Sequence, residues 1–301
     1  MKTEELLING LHAVIWQPEG NIKALLQITH GMTEHMLRYA DFAAVLCSQG
    51  IAVAGFDLHG HGANPGDPRI ASFGEGGWTQ SIEDMRAFFE TLEQRFPDIP
   101  HHMLGFSLGS FLLREYLGIY PQGVASAIIA GTGHEPGWLL TILMSVIGGE
   151  IKKAGFDNTT DLVKQLSFGT YNQSFRPNRT QADWLCADEN TLDQYLSDPL
   201  VRRDISAGLF RDLLGSMKRT GKAAAFSGWN RDMPVLLLCG AQDPVGKFGK
   251  GVAALAGLLR KAGIRHLEQQ TFPNARHDIF HEDSTGTSTE VHRCISQWVL
   301  K

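Results

Sequence analysis

Gly105-Phe106-Ser107-Leu108-Gly109 is the stretch that decides the fold of this 301-residue chain. It follows residues 101–104, which are typical of a short buried strand, and precedes residues 111–117, which are typical of a helix. A serine in such a sharp turn has a strained backbone, and the small residues two positions away let neighbouring backbone pass close by. The turn predicts an exposed Ser107 hydroxyl at a helix N-terminus, which favours negative charge. Because the chain has 33 glycines, the motif is informative only in this strand–turn–helix context.

Two residues later in the chain complete the set that an acyl-transferring serine needs. Asp243 follows the continuous apolar run 234–240, and His277 follows the alternating run 266–272. A serine hydroxyl needs a base, and an imidazole base needs a carboxylate that fixes its tautomer. Each residue lies just past a strand end, in the order Ser, Asp, His. We therefore predict Ser107 as nucleophile, with the aspartate as orienting carboxylate and the histidine as base.

Other titratable residues compete for these roles. His59 and His61 precede the serine and would break the expected chain order. His281 beside Glu282 raises the alternative of a metal pair, but no further ligand lies at suitable spacing, so a solvated helix face is the simpler interpretation. Asp278 adjoins the predicted base and would point away from it in a regular backbone, which favours the earlier aspartate.

Acyl transfer builds an oxyanion, which two preorganised backbone N–H groups would stabilise. Leu108, directly after the nucleophile, is predicted to supply one of them. Residues 24–29 are typical of a central strand and lead into a loop in which Met32 follows His-Gly. Met32 is predicted to supply the second N–H, with Gly31 allowing close approach. An ordinary glycine turn after a strand is the alternative.

A resemblance to a known family rests on several stretches taken together: His30-Gly31-Met32-Thr33-Glu34-His35 with Arg38-Tyr39, then Phe56-Asp57-Leu58-His59-Gly60-His61-Gly62, then the elbow, Asp243 and His277. They resemble the monoacylglycerol lipase and lysophospholipase-like branch of the α/β-hydrolases, over about residues 10–133 and 233–300. The resemblance implies the same triad, the same two oxyanion donors, and a structural role for the histidines at 59 and 61. The segment 134–232, where that family sets specificity, shows no comparable match.

The order of elements predicts an α/β-hydrolase fold, with a mostly parallel central sheet, helices on both faces and an inserted helical cap. We expect the catalytic domain to comprise residues 1–133 and 233–301, and the cap residues 134–232. On a predicted helix at 78–95, Glu83, Asp84 and Arg86 are expected to form the solvated face. The other elements expected are a hairpin at about 4–17, strands at 24–29, 51–56, 102–106 and 124–130, and helices at 36–48 and 108–119.

The cap begins with an apolar segment, residues 136–147, that is too short to span a bilayer. Three interpretations stay open: a helix buried against the core, a wall for an acyl chain, and a surface for transient membrane contact. The predicted substrate-binding residues of this helix are Trp138, Leu139, Ile142 and Leu143.

Composition excludes some classes of protein and bounds others. The 43% apolar and 20% charged residues are ordinary globular usage. With a pI near 6.2, and no basic run interleaved with aromatics, no nucleic acid partner is expected. The N-terminal residues are acidic and lack a long apolar stretch, so no secretory signal is predicted. Four widely spaced cysteines favour reduced thiols and a cytoplasmic location.

Together these features predict a serine hydrolase of carboxylic esters that uses no metal or cofactor. The resemblance implies monoacylglycerol or lysophospholipid-type lipid esters as substrates. A thioesterase is an open alternative, as is a non-catalytic protein that kept the fold. A proline-type aminopeptidase is less favoured because the loop after the early strand reads His-Gly-Met rather than Gly-Gly. Dehalogenases and epoxide hydrolases usually carry aspartate at the elbow. The sequence leaves the exact substrate and the oligomeric state open.

Overall fold

An eight-stranded sheet organises the chain, which a computed structural model describes over residues 1–301. Its strands are β1 (Lys2–Ile8), β2 (Leu11–Gln17), β3 (Ala24–Thr29), β4 (Ile51–Phe56), β6 (His101–Phe106), β7 (Val124–Ala130), β9 (Val235–Gly240) and β10 (Leu267–Phe272), while β5 (Ile70–Ala71) and β8 (Asp204–Ile205) form a separate parallel pair. The order across the large sheet is β1-β2-β4-β3-β6-β7-β9-β10. Only the β1–β2 and β2–β4 pairs are antiparallel. The predicted mostly parallel sheet is confirmed.

Helices cover both faces of this sheet: α1 (Ala40–Cys47) and α9 (Thr287–Val299) on one face, and α2 (Gly77–Arg95), α3 (Leu108–Ile119) and α8 (Lys250–Ala262) on the other. Strand β9 illustrates why a strand buried on both sides is continuously apolar. Its residues Leu236 and Leu238 pack with α1 and α9, while Leu237 and Cys239 pack with α2, α3 and α8. Consecutive side chains point to opposite faces, so both sets are removed from water.

Residues 134–232, called the insert below, connect β7 to β9 without adding a strand to the large sheet. They contain α4 (Gly137–Ala154), α5 (Asp161–Lys164), α6 (Glu189–Ser197) and α7 (Ala207–Arg219), with short helical turns at Gln165–Gly169, Tyr171–Phe175 and Ala223–Phe226. The sequence did not predict strand β8, which pairs with β5 through two residues and ties the insert to the loop after β4. None of the helices combines the length and apolar character needed to cross a membrane.

Two local features refine the predicted elements. The helix expected at 36–48 begins as a 3-10 turn, Met36–Tyr39, before α1. The hairpin between β1 and β2 turns at Asn9-Gly10, with φ of 50° and 82°. Asn-Gly tolerates this left-handed backbone, which suits the right-handed twist of the two strands.

Asp84 does not lie on a solvated helix face, so that prediction was wrong. Its carboxylate is buried and bonds to His59 Nε2 at 2.7 Å, Asn9 Nδ2 at 3.0 Å and Gln80 Nε2 at 3.1 Å. Burial raises the pKa of Asp84, but these hydrogen bonds lower it by a larger amount, so the net pKa is below its ordinary value. The carboxylate joins the loop after β4 to helix α2.

The solvated helix face proposed for His281 and Glu282 is also wrong, because both lie in a turn between β10 and α9. Glu282 is fully buried and accepts a hydrogen bond from Ala187 N at 2.9 Å. No group of three His, Cys, Asp or Glu side chains is arranged to bind a metal. All four cysteines are unpaired.

His101, the first residue of β6, is buried without a hydrogen bond on either ring nitrogen. Its ring stacks on Phe89 with the centroids 3.9 Å apart. Burial, with a smaller contribution from the neighbouring His102, lowers the pKa of His101 to about 3. The folded chain therefore holds a neutral imidazole that the unfolded chain would protonate near pH 6.5.

We predict that His101 makes the fold sensitive to acid. Below pH 6.5 the unfolded state binds the extra proton, so stability falls by up to about 1.4 kcal/mol per pH unit until the folded state is also protonated. His101→Phe should flatten this fall in urea unfolding measured between about pH 6.5 and 4. The exposed His266→Gln is the control and should keep the wild-type slope. Identical slopes for His101→Phe and wild type would contradict the prediction.

Candidate active site

Ser107 lies between β6 and α3 in a strained backbone conformation, with φ of 49° and ψ of −115°. The surrounding backbone enforces it. Ser107 N donates to Ala130 O at 3.0 Å, and Ser107 O accepts from Ser110 N at 2.9 Å. A non-glycine residue in this region costs on the order of 1–3 kcal/mol and persists only where the structure over-determines it.

The two flanking glycines allow the close approaches that this turn requires. A Cβ at Gly109 would lie 2.0 Å from Thr29 O, at the end of β3. A Cβ at Gly105 would lie 2.4 Å from Gly109 O. Both of these oxygens belong to the backbone, which cannot move aside as a flexible side chain could. This is the role that the spacing of the motif predicted for the two small residues.

The structure brings the three residues of the predicted triad together. His277 Nε2 lies 2.9 Å from Ser107 Oγ, and His277 Nδ1 lies 3.0 Å from Asp243 Oδ2. Neither Nδ1 nor Oδ2 makes a well-aligned hydrogen bond to this or any other group, so the two atoms face only each other. Val245 N holds the other carboxylate oxygen of Asp243 at 2.8 Å.

The surroundings of His277 set its protonation. The ring is buried between Phe106 and Trp184, with centroid distances of 5.0 Å and 5.2 Å. Burial lowers the pKa of His277, but the carboxylate of Asp243 raises it more, so the net pKa lies above the ordinary 6.5. Since a carboxylate only accepts hydrogen bonds, the Nδ1 facing it carries the proton. Nε2 is then free to accept from Ser107.

Asp278 points away from the imidazole. It accepts from Arg38 Nη2 at 2.8 Å and from His281 Nδ1 at 2.8 Å. Burial raises the pKa of Asp278, but His281 and Arg38 together lower it well below its usual range. Arg38 also pairs with Glu34. The carboxylate beside His277 in sequence is thus neutralised by other partners.

Met32 and Leu108 both line the cavity that Ser107 opens into. Leu108 is the first residue of α3, so its N–H has no acceptor within the helix. Met32 N donates no hydrogen bond within the chain. Both predicted donors are therefore at the cavity wall with N–H groups that the fold leaves available.

The loop carrying Met32 is held from both sides of Gly31. Leu58 N donates to His30 Nε2 at 2.9 Å, so the other ring nitrogen carries the proton and donates to Gly31 O at 2.7 Å. Gly31 N donates to Glu34 Oε1 at 2.6 Å. A Cβ at Gly31 would lie 2.7 Å from that same oxygen, so a larger residue there would force the Glu34 carboxylate to shift from this position.

The cavity beside Ser107 has a volume of about 840 Å³, and its aliphatic wall comes from α3, α4 and α7. Leu139 and Leu143, two of the predicted substrate-binding residues, belong to this wall. Trp138 and Ile142 do not, because they face outward and are 68% and 53% exposed. This helix is apolar on nearly all sides, so the periodicity of its sequence does not show which side faces the cavity.

A group of aromatic residues on another wall of the cavity was not predicted from the sequence. Trp184 packs against His277, and its ring is stacked on Phe168 at 5.8 Å and lies 4.9 Å from Tyr171. Tyr195, also in the insert, lines the cavity and bonds to the loop after β3. These residues lie in the segment without a family motif, and their spacing has no regular period.

The chain is similar to a known protein family and to known lipases over most of its length. The family model Hydrolase_4, described as serine aminopeptidase, matches residues 20–284. The monoglyceride lipase of Mus musculus is 24% identical over 286 residues, covering 92% of this chain and 86% of that protein. The human monoglyceride lipase is 26% identical over 282 residues, covering 89% and 83%.

A similar solved structure is a highly thermostable carboxyl esterase from Bacillus coagulans in complex with glycerol. It has a TM-score of 0.86 at 22% identity and covers 100% of both chains. The predicted α/β-hydrolase fold and the resemblance to monoacylglycerol lipases are confirmed, and the chain belongs to the Hydrolase_4 family of α/β-hydrolases.

Proposed function

We propose that this protein is a carboxylic ester hydrolase in which Ser107, His277 and Asp243 form a catalytic triad. The observation that carries the proposal is the 2.9 Å contact between Ser107 Oγ and His277 Nε2, at the wall of a largely apolar cavity. The relatives named as monoglyceride lipases, and the similar carboxyl esterase structure, support ester chemistry at this site.

In the proposed reaction, Ser107 Oγ attacks the ester carbonyl carbon while its proton moves to His277 Nε2. The N–H groups of Met32 and Leu108 stabilise the negative carbonyl oxygen of the tetrahedral intermediate. Collapse of the intermediate breaks the bond to the alcohol, which takes the proton from His277. Water then attacks the acyl-enzyme with His277 as base, releasing the carboxylic acid and regenerating the serine.

Asp243 acts on this reaction through the histidine. Its charge stabilises the imidazolium that forms when His277 accepts the serine proton. The same charge raises the pKa of His277 above 6.5, so the neutral base predominates only above that raised value.

The insert is proposed to form a cap over this site, and its aliphatic wall to bind an acyl chain. Phe210, Leu213, Leu214 and Met217 of α7 line the cavity together with Leu139 and Leu143 of α4. A wall of this kind suits a lipid ester, such as a monoacylglycerol or a lysophospholipid. We also propose the cytoplasmic location predicted from the sequence, which the four unpaired thiols support.

The name of the matched family raises the alternative of an aminopeptidase, which must bind the ammonium group of a peptide N-terminus. A free carboxylate in the cavity would be needed for that. Each carboxylate lining the cavity is instead paired with a cation of the chain: Glu34 and Asp278 with Arg38, Glu135 with Lys247, and Asp204 with Lys164. This pairing favours esters over peptides.

The triad can be tested with a fluorophosphonate probe and p-nitrophenyl esters. Ser107→Ala should abolish labelling and lower kcat by on the order of a million-fold. Asp243→Asn should cost about 10⁴-fold, because the imidazole then adopts the wrong tautomer. Asp278→Asn is the matched control and should lose far less. Near-normal turnover by Ser107→Ala, or equal losses in the two asparagine variants, would end this assignment.

Acyl-chain binding should make kcat/KM rise with chain length and then level off where the cavity closes. Each buried methylene contributes about 0.8 kcal/mol, or roughly fourfold. Leu139→Asp with Leu143→Asp should flatten that rise in a series of p-nitrophenyl esters and leave acetyl esters nearly unaffected. Trp138→Asp with Ile142→Asp, on the outward face of the same helix, should keep the wild-type rise. Equal losses for long and short esters would contradict an acyl wall.

The outward face of α4 is proposed to contact lipid surfaces transiently. Trp138, Ile142 and Val146 lie four residues apart and form one exposed apolar stripe, 68%, 53% and 39% exposed. Co-sedimentation with phosphatidylcholine vesicles should fall when Trp138 and Ile142 are both changed to serine. Ile119→Ser, which removes an exposed isoleucine from the end of α3, is the control. Undiminished binding by the double variant would refute this contact.

A further inference from the structure

Thr33 has an unusual backbone next to the proposed oxyanion donor Met32. Its φ is 68°, a left-handed conformation that a β-branched residue rarely adopts. Such a conformation persists only where neighbouring groups hold it. The groups that hold Thr33 therefore also fix the Met32–Thr33 peptide, which is adjacent to the peptide that carries the Met32 N–H.

Two of those groups belong to the insert. The Thr33 hydroxyl donates to Met32 O, so it must accept from Tyr195 OH, which lies 2.7 Å away. Arg202 N donates to Thr33 O at 2.8 Å. The third group is Met32 O itself, within the loop.

The segment 195–202 is itself anchored to the rest of the chain. The buried guanidinium of Arg202 donates to Gly60 O at 3.1 Å and to Gly62 O at 2.9 Å. Asp198 Oδ2 lies 2.9 Å from His35 Nε2. The segment 195–202 is thus anchored by hydrogen bonds and can support the loop that carries Thr33.

On the other side of Met32, the chain holds Gly31 through Glu34, as described above. Arg38 pairs with Glu34, and its guanidinium lies 4.8 Å from the centre of the Tyr195 ring. Tyr195 therefore contacts both supports of the loop, one through its hydroxyl and the other through its ring.

We propose that Tyr195 and Arg202 of the insert hold the Met32 N–H in position through Thr33, so that the seating of the insert is coupled to oxyanion stabilisation. This proposal rests on the proposed function, since Met32 N–H matters only if an oxyanion forms. Thr33 and Tyr195 act as positioning residues, because their effect passes through Met32.

The coupling has a distinctive kinetic signature. The oxyanion exists only in the intermediate and the transition states around it, so a displaced N–H weakens their stabilisation and leaves the bound ester unaffected. The expected result is a lower kcat with an unchanged KM. Loss of a contact that merely binds substrate would raise KM instead.

Tyr195→Phe keeps the ring over Arg38 and removes the hydroxyl. Thr33→Val removes the hydroxyl that accepts from Tyr195, together with its own hydrogen bond to Met32 O. Each should lower kcat for a p-nitrophenyl ester by on the order of tenfold, less than the loss of a whole donor, and change KM by less than about twofold. The double variant should lose no more than Thr33→Val alone, because without the Thr33 hydroxyl the Tyr195 hydroxyl has no bond to the loop left to lose. Thr33→Ser, which keeps the hydroxyl, should restore most of the wild-type kcat. Tyr120→Phe removes a surface hydroxyl bonded to Glu83 and is the matched control.

Hydrogen exchange measured by mass spectrometry gives a readout that does not depend on turnover. In Tyr195→Phe, the amide of Arg202, which is bonded to Thr33 O, and the amide of Gly31, which is bonded to Glu34, should exchange on the order of tenfold faster, because the contact holding Thr33 is weakened. Unchanged exchange in both regions, a raised KM at unchanged kcat, or additive losses in the double variant would overturn the proposal. Turnover by Ser107→Ala would instead refute the proposed function, while the exchange result would still decide whether the insert holds this loop.

Discussion

The site depends on one close backbone contact, between the first turn of α3 and the end of β3. The position a Cβ would take at Gly109 lies 2.0 Å from Thr29 O, so the two segments can meet only at a glycine. That contact brings Ser107, at the start of the helix, beside the loop that follows β3. The packing of these two backbone segments therefore places Ser107 and Met32 close together, independently of their side-chain contacts.

The second constraint is the burial of charge around His277. A buried carboxylate is costly unless it is paired, and removing one partner of such a pair leaves an uncompensated charge. Arg38 meets this requirement for Glu34 and Asp278 at once. Because Asp278 is satisfied there, Asp243 is the carboxylate left facing the imidazole. The surrounding ion pairs thus help to decide which aspartate faces the imidazole of His277.

The sequence was informative wherever a local rule governs the structure. The glycines around Ser107 and the apolar runs before Asp243 and His277 depend on a few adjacent residues, and both strands lie where they were predicted. Asp84 was misassigned because its hydrogen-bond partners, such as Asn9, are distant in sequence. Trp138 was assigned to the cavity, but it faces outward. In a helix that is apolar on nearly all sides, the sequence does not show which side packs against the core.

The insert contacts the region around Ser107 at two places, so it contributes both to the cavity wall and to the position of the loop after β3. Helices α4 and α7 supply the aliphatic wall of the cavity, while residues 195–202 contact the loop after β3. Burial lowers the pKa of Arg202 by more than the charges of Asp57 and Asp67 raise it. Its guanidinium forms no direct ion pair and donates only to carbonyl oxygens. An arginine held in this way fixes the position of the backbone segments that it joins. Substitutions can reshape the wall on α4 and α7 and still leave the loop in place, provided that this anchored segment keeps its hydrogen bonds.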